Sequence, residues 1–212
     1  MVVSASGKPV KPVPDPAPAQ QIPWGVNRID AELAWPQNTG QGVKVAVLDT
    51  GIDLSHPDLL ANIKGGYNAI KPNKSPADDN GHGTHVAGII AAVNDNIGVV
   101  GVAPQAELYA VKVLSANGSG YLSDIIEGLE WCITNNMQVI NMSLGTSSEV
   151  QSFHDAVIKV YNAGIVMVAA AGNSGPGDNT VEYPAKYEEV IAVSATSDND
   201  AIASFSSRGP DR

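Results

Sequence analysis

Short apolar segments alternate with longer amphipathic segments along most of the chain. Strand-length apolar runs occur at 43–48, 108–114, 139–144, 165–171 and 190–193. Between them, apolar positions recur at spacings of three and four, which predicts helices over 85–93, 123–135 and 149–163. Because the strand runs are almost continuously apolar, we expect parallel strands covered on both faces. The pattern predicts a doubly wound α/β fold, with a mostly parallel sheet and helices on both faces.

The beginning of the chain differs in composition from the rest. Closely spaced prolines between positions 9 and 18 favour extended backbone and are incompatible with the interior of a helix or sheet. We predict a linker or N-terminal arm over 1–19 and one folded domain over 20–212. A single core is expected because the whole chain has 212 residues, 43% of them apolar.

Charge and composition exclude several classes of function. The chain has 22 acidic and 12 basic residues, a formal net charge of −10, so nucleic acids and anionic membranes are not expected partners. Cys132, the single cysteine, falls in a helical apolar pattern that predicts a buried, inert thiol. The sequence contains neither an apolar run of membrane-spanning length nor an intact signal peptide, so a secreted and a cytosolic location both stay open.

A carboxylate and an imidazole are the candidate catalytic groups. Asp49 ends the first predicted strand, where an unpaired carboxylate is costly, and His82 stands at the start of a predicted helix. If Asp49 accepts the Nδ1 proton of His82, the Nε2 atom is left free to act as a general base. Each residue also has an ordinary structural interpretation, as a turn-forming aspartate or a helix-start histidine.

Two other catalytic interpretations fit less well. Asp49-Thr50-Gly51 matches the D-T-G signature of aspartic proteases, but the chain has only one such motif and an α/β pattern. His82 and His85 could ligate zinc, but their spacing lacks the glutamate of H-E-x-x-H and a third ligand.

Three motifs in order carry a resemblance to a known family. DTGID (49–53), HGTH (82–85) and AAGNSG (170–175) resemble the subtilisin-like serine proteases (subtilases, peptidase S8), in particular the bacterial subtilisins. The similarity runs from about Gln20 to the last residue. It implies a secreted serine endopeptidase that hydrolyses proteins through an Asp-His-Ser triad. Asp49 and His82 match the triad, Asn173 matches the oxyanion-hole asparagine, and His85 is then structural.

The resemblance also assigns two substrate-binding segments. Each follows a predicted strand and would receive an extended polypeptide substrate as an added strand. Considered without the family, both are glycine- and serine-rich turns. The segments are Gly118-Ser119-Gly120 and Ser143-Leu144-Gly145.

The nucleophilic serine of the family is not matched. In the family it follows the region that resembles FSSRGP (205–210), so we expect a C-terminally incomplete domain that is inactive alone. Ser147, in the chain's G-T-S triplet, lies within the substrate-binding region and is a poor candidate. The missing C-terminal segment or an inhibitory propeptide are possible partners. The alternative is an inactive fragment or a non-catalytic peptide-binding domain.

A calcium site is implied by the same resemblance. The loop 93–99 resembles the calcium loop of bacterial subtilisins, and its oxygen donors suit a hard cation such as Ca²⁺. An ordinary polar turn is the alternative. A second cation site near Ala185, Tyr187 and Val190 is not expected to be occupied. The six matching ligand positions are Gln20, Asp58, Val93, Asp95, Ile97 and Val99.

Overall fold

A six-stranded parallel sheet forms the centre of the molecule. The computed structural model describes residues 19–209. The strands follow the order β2-β3-β1-β4-β5-β6 across the sheet, and every neighbouring pair is parallel. Their bounds are β1 Lys44–Asp49, β2 Ile63–Asn68, β3 Glu107–Lys112, β4 Val139–Met142, β5 Val166–Ala170 and β6 Ile191–Val193.

Helices cover both faces of this sheet, which confirms the predicted fold class. Helices α4 and α5 pack on each other in the larger core layer, whereas α3 contributes to the layer on the other face. Two short helices precede the first strand. The helices are α1 Trp24–Arg28, α2 Ala31–Ala34, α3 His82–Ala91, α4 Leu122–Thr134 and α5 Gln151–Asn162.

The central strand β1 explains the unbroken apolar runs of the sequence. Val45 and Val47 pack in the layer shared with α3, whereas Ala46 and Leu48 pack in the layer shared with α4 and α5. Successive side chains of a strand point to opposite faces, so a strand covered on both sides must be apolar throughout. Burying each of the larger side chains contributes about 1.5–3 kcal/mol, before the entropy cost of ordering it.

The strand β2 was not predicted from the sequence. It lies at an edge and pairs only with β3. A Cβ atom at Gly66 would clash with the carbonyl oxygen of Ala110, so this position requires glycine. Glycine is unfavourable in strands, so its presence weakens the pattern from which a strand is predicted. The close packing against Ala110 that requires Gly66 is a contact between separate strands and cannot be inferred from local sequence.

The proposed arm over 1–19 lies outside the described residues, apart from Ala19. Ala19 forms an isolated antiparallel bridge with Ile97. No helix in the described range is both long enough and apolar enough to cross a lipid bilayer.

Candidate active site

The carboxyl edge of the sheet collects the predicted functional segments. Strand β1 ends at Asp49, and the residues after β3, β4 and β5 include 118–120, 143–145 and Asn173. Because the strands are parallel, their carboxyl ends face the same side, where α/β proteins place their ligands. Helix α3 begins at His82.

The structure brings Asp49 and His82 into direct contact. His82 Nδ1 lies 2.7 Å from Asp49 Oδ1. The Asp49 side chain is fully buried, whereas the His82 side chain is 50% exposed. If Asp49 is a carboxylate, it can only accept hydrogen bonds, and this contact then requires the proton on Nδ1. That tautomer leaves the Nε2 lone pair available as a base.

Close packing between the strand end and the helix start holds this pair. Gly83 donates its N–H to Thr50 Oγ1 at 3.0 Å, and Thr50 donates its own N–H to Asp49 Oδ1 at 2.7 Å. A Cβ atom at Gly83 would clash with the carbonyl oxygen of Gly51 and lie 3.1 Å from Asp49 Cβ. The position after the histidine therefore has to be glycine if the helix is to reach the strand.

Asp78 builds the loop that presents His82, and sequence reasoning missed it. Its Oδ1 atom accepts the Thr50 hydroxyl at 2.8 Å and the N–H groups of Asn80 and Gly81 at 2.9 and 3.0 Å. Its Oδ2 atom accepts the N–H and the hydroxyl of Thr84 at 3.0 and 2.6 Å. The available signal was an aspartate just before a helix start, where carboxylates satisfy unpaired N–H groups.

These hydrogen bonds determine the ionisation of Asp78. Partial burial by itself would raise the pKa of the carboxyl group. The donors from Gly81, Thr84, Asn80 and Thr50 outweigh burial, and they hold the pKa of Asp78 well below its ordinary value. The loop is therefore organised around a carboxylate that stays charged.

A buried lysine provides a second unpredicted support. Lys112 ends β3, and its Nζ atom lies 2.5 Å from the Thr50 carbonyl oxygen and 2.6 Å from Asp79 Oδ1. Its side chain is almost fully buried, whereas that of Asp79 is largely exposed. The contact joins the loop before His82 to the neighbouring strand.

One cavity joins His82 to both predicted substrate segments. Its volume is about 570 Å³. The structure thus brings together His82 and all six predicted substrate-binding residues, whereas Asn173 lies outside this lining on an exposed loop. Among residues 19–209, no serine hydroxyl forms a hydrogen bond with His82. The lining includes Thr50, His82, Gly118, Ser119, Gly120, Ser143, Leu144, Gly145 and Tyr183.

The predicted calcium ligands form a second group near the N-terminus. The side-chain nitrogen of Gln20 donates to the carbonyl oxygens of Val93, Ile97 and Val99 at 2.7, 3.1 and 3.1 Å. Three carbonyl oxygens therefore converge around one polar group.

The two predicted carboxylate ligands border the same loop. Asp58 Oδ2 accepts the Val99 N–H at 3.0 Å, and Asp95 Oδ1 accepts the Ile97 N–H at 3.2 Å. No cluster of three or more His, Cys, Asp or Glu side chains suited to a metal occurs in the described part of the chain. The surrounding carbonyl and carboxylate oxygens are donors that Ca²⁺ accepts, whereas Gln20 presents its amide nitrogen to the carbonyl groups and would have to turn its amide over to offer an oxygen.

Comparison with known proteins identifies the family. A profile of the Subtilase family matches residues 40–212. The chain belongs to this family. Subtilisin Savinase of Lederbergia lenta is 54% identical over 192 residues, which cover 90% of this chain and 70% of that protein. An alkaline protease of Alkalihalobacillus alcalophilus is also 54% identical, over 90% of this chain but only 49% of its own length.

A more distant relative gives the same family relationship. The minor extracellular protease Epr of Bacillus subtilis is 49% identical over 187 residues, 88% of this chain and 28% of that protein. The subtilase chain described here thus spans about half the length, or less, of some relatives and 70% of Savinase.

Proposed function

We propose that this subtilase chain carries the base and the substrate groove of a serine endopeptidase that hydrolyses peptide bonds in proteins. The observation that supports this most is the 2.7 Å contact between Asp49 and His82 at the rim of a cavity. A buried carboxylate beneath a half-exposed imidazole is the arrangement that prepares histidine for proton transfer.

The chemistry assigned to this chain is proton transfer and charge stabilisation. His82 Nε2 takes the proton of a serine hydroxyl as that oxygen attacks the scissile carbonyl carbon. Asp49 stabilises the imidazolium that forms, and His82 then gives the proton to the leaving amine. Asn173 would donate from its side-chain amide to the oxyanion of the tetrahedral intermediate.

We assign the attacking hydroxyl to a serine outside residues 1–212. The absence of a serine hydrogen-bonded to His82 in the described range supports this assignment. So does the length of the relatives, since the match leaves part of Savinase and half of the alkaline protease uncovered. The same observations support the second candidate, a chain that binds peptides without cleaving them.

The substrate is a polypeptide in extended conformation. Two lining segments, 118–120 and 143–145, follow β3 and β4 and would receive the substrate as an added strand. In the first segment, the N–H groups of Gly118 and Ser119 are hydrogen-bonded within the loop, so Gly120 is the position expected to pair with the substrate. The word "extracellular" in the name of Epr supports an extracellular location for this chain.

A calcium ion is proposed as the structural cofactor. Gln20, the carbonyl groups of the loop 93–99 and the carboxylates of Asp58 and Asp95 would hold it. A bound divalent cation would neutralise these oxygen donors and join the start of the domain to that loop.

The proposal is tested with an extended protein, in which this chain continues at Arg212 into the part of Savinase that follows the matched region. A fluorogenic peptide is assayed with the chain alone, the extended protein and the extended protein carrying His82→Ala. Of these three proteins, only the extended protein with His82 intact is expected to hydrolyse the peptide. Hydrolysis that survives His82→Ala would contradict the assigned base.

A further inference from the structure

The side chain of Glu182 lies between the two segments assigned to the substrate and to the oxyanion. A Cβ atom at Gly145 would lie 2.5 Å from Glu182 Oε2, and one at Gly172 would lie 2.7 Å from Glu182 Cδ. Gly145 ends the substrate segment, and Gly172 immediately precedes Asn173. The two glycines leave a gap between the segments, and the side chain of Glu182 occupies it.

Backbone hydrogen bonds on both flanks fix this placement. The N–H of Glu182 donates to the Ala171 carbonyl oxygen at 2.8 Å. The next residue, Tyr183, exchanges two hydrogen bonds of 2.9 Å with Thr146. Glu182 is thus joined to the oxyanion segment on one side and to the substrate segment on the other. Its position is therefore determined by the same backbone that forms the site.

The Glu182 carboxylate has capacity for another donor. Its Oε1 atom accepts the Ser174 hydroxyl at 2.6 Å. None of the ion pairs formed among residues 19–209 includes Glu182. The residue is half-buried. A carboxylate has about four lone-pair positions and accepts a guanidinium group through two of them. A partly desolvated acid with one hydroxyl partner is a suitable recognition point for a cation.

We infer that Glu182 determines specificity, favouring arginine or lysine immediately before the scissile bond. The inference rests on the proposed function, because that function places the scissile carbonyl at Asn173 and the peptide backbone along Ser143–Gly145. The substrate residue immediately before the scissile bond supplies this carbonyl group, and its side chain is attached to the neighbouring Cα atom. It is therefore directed toward the gap between Gly145 and Gly172, where it meets the Glu182 side chain and its carboxylate.

The inferred preference must be separated from the general attraction of an acidic protein. The chain has a formal net charge of −10, so a cationic peptide is favoured over its whole surface. Glu188 provides the matched control, because it is an exposed glutamate six positions along the chain. Glu182→Gln and Glu188→Gln change the net charge equally, but only the first removes the carboxylate from the gap.

The test uses the chain as it stands and measures binding without cleavage. Four N-terminally fluorescein-labelled peptide amides, Ala-Ala-Ala-X, carry arginine, citrulline, leucine or glutamate at X, and their Kd values are measured by fluorescence anisotropy. Citrulline matches arginine in shape but has no charge. We expect arginine to bind about tenfold more tightly than citrulline, about 1.4 kcal/mol. Glu182→Gln removes this ratio and Glu188→Gln preserves it.

A charge-reversed variant tests whether Glu182 acts by its charge rather than by supporting the loop. Glu182→Lys should bind the glutamate peptide more tightly than the arginine peptide. Equal affinity of the unmodified chain for arginine and citrulline, no detectable binding of any peptide, or an unchanged ratio in Glu182→Gln would overturn the inference. Selective binding by this chain without hydrolysis by the extended protein would overturn the proposed function alone.

Discussion

At the scale of single residues, Asp49 matters because it determines which nitrogen of His82 carries a proton. Asp49→Asn keeps the shape of the side chain but removes the charge that stabilises the imidazolium. In the extended protein, we expect a loss of about 10⁴-fold in kcat, the size this substitution has in other serine proteases. KM should change little, since Asp49 is fully buried and is not among the residues that line the groove. Steady-state kinetics check this, and a loss below tenfold would contradict the role assigned to Asp49.

Asp78 acts at the same scale, through stability rather than catalysis. Its pKa is lowered in the folded state, so the unfolded chain binds more protons in the acid range. The ionised group therefore stabilises the fold above the ordinary carboxyl pKa of 3.8, and this contribution is lost as the pH falls below that value. Asp78→Asn should cost about 1–3 kcal/mol at neutral pH.

The pH dependence distinguishes this charge effect from loss of packing. Urea unfolding of the chain and of Asp78→Asn is compared at several pH values between 7 and 2. The difference between the two proteins should shrink as the pH falls below 3.8. A difference that is independent of pH would show that the negative charge of Asp78 is not what stabilises the loop.

At the scale of elements, helix α3 offers two glycines with opposite surroundings. A Cβ atom at Gly83 would meet Gly51 and Asp49, whereas one at Gly88 would have no neighbour within 4 Å. Gly83→Ala should destabilise the fold by about 1–3 kcal/mol, because the helix start must move away from the strand. Gly88→Ala should stabilise it by about 0.5–1 kcal/mol, because alanine favours the helix. Urea unfolding measures both, and destabilisation by both substitutions would contradict the explanation from close packing.

The same helix shows what periodicity can and cannot predict. The apolar spacing predicted a helix over 85–93, whereas α3 begins three residues earlier, at His82. Its first turn carries no apolar pattern, because His82 faces the site, Gly83 packs against the end of β1 and Thr84 bonds to Asp78. The predicted strands were found within a few residues of their bounds. Burial on both faces explains the strong signal of β1, whereas all three residues of β6 are exposed.

The sequence predicted only those residues of the candidate site that lie within a recognisable motif. Asp49 and His82 stand in recognisable motifs, and the structure brings them together across 33 residues of sequence. Asp78, Lys112 and Glu182 were missed because their roles depend on contacts between separate loops and strands. Glu182 reaches Gly145 from a loop that pairs with Thr146, a contact for which local sequence has no signal.

At the scale of the whole molecule, the proposed calcium ion joins two distant parts of the chain. Gln20 contacts carbonyl groups more than 70 residues away in sequence. Calcium at 100 times its Kd should stabilise the fold by about 2.7 kcal/mol, because it binds only the folded state. Thermal unfolding of this chain should therefore shift upward with Ca²⁺ and downward with chelator.

The calcium prediction has its own matched control. Asp95→Asn should reduce the calcium-dependent shift, whereas Asp198→Asn, at an exposed aspartate in a different loop, should leave it unchanged. Identical melting temperatures with excess calcium and with chelator would refute the site.

The central claim is that His82, paired with Asp49, activates a serine that lies outside these 212 residues. The most direct test treats the extended protein with a fluorophosphonate, which reacts covalently with activated serine hydroxyls, and locates the label by peptide mass mapping. We predict one labelled serine beyond Arg212 and loss of labelling in His82→Ala. A label on a serine within residues 1–212, with Ser147 the first to examine, or labelling that persists without His82, would contradict the claim.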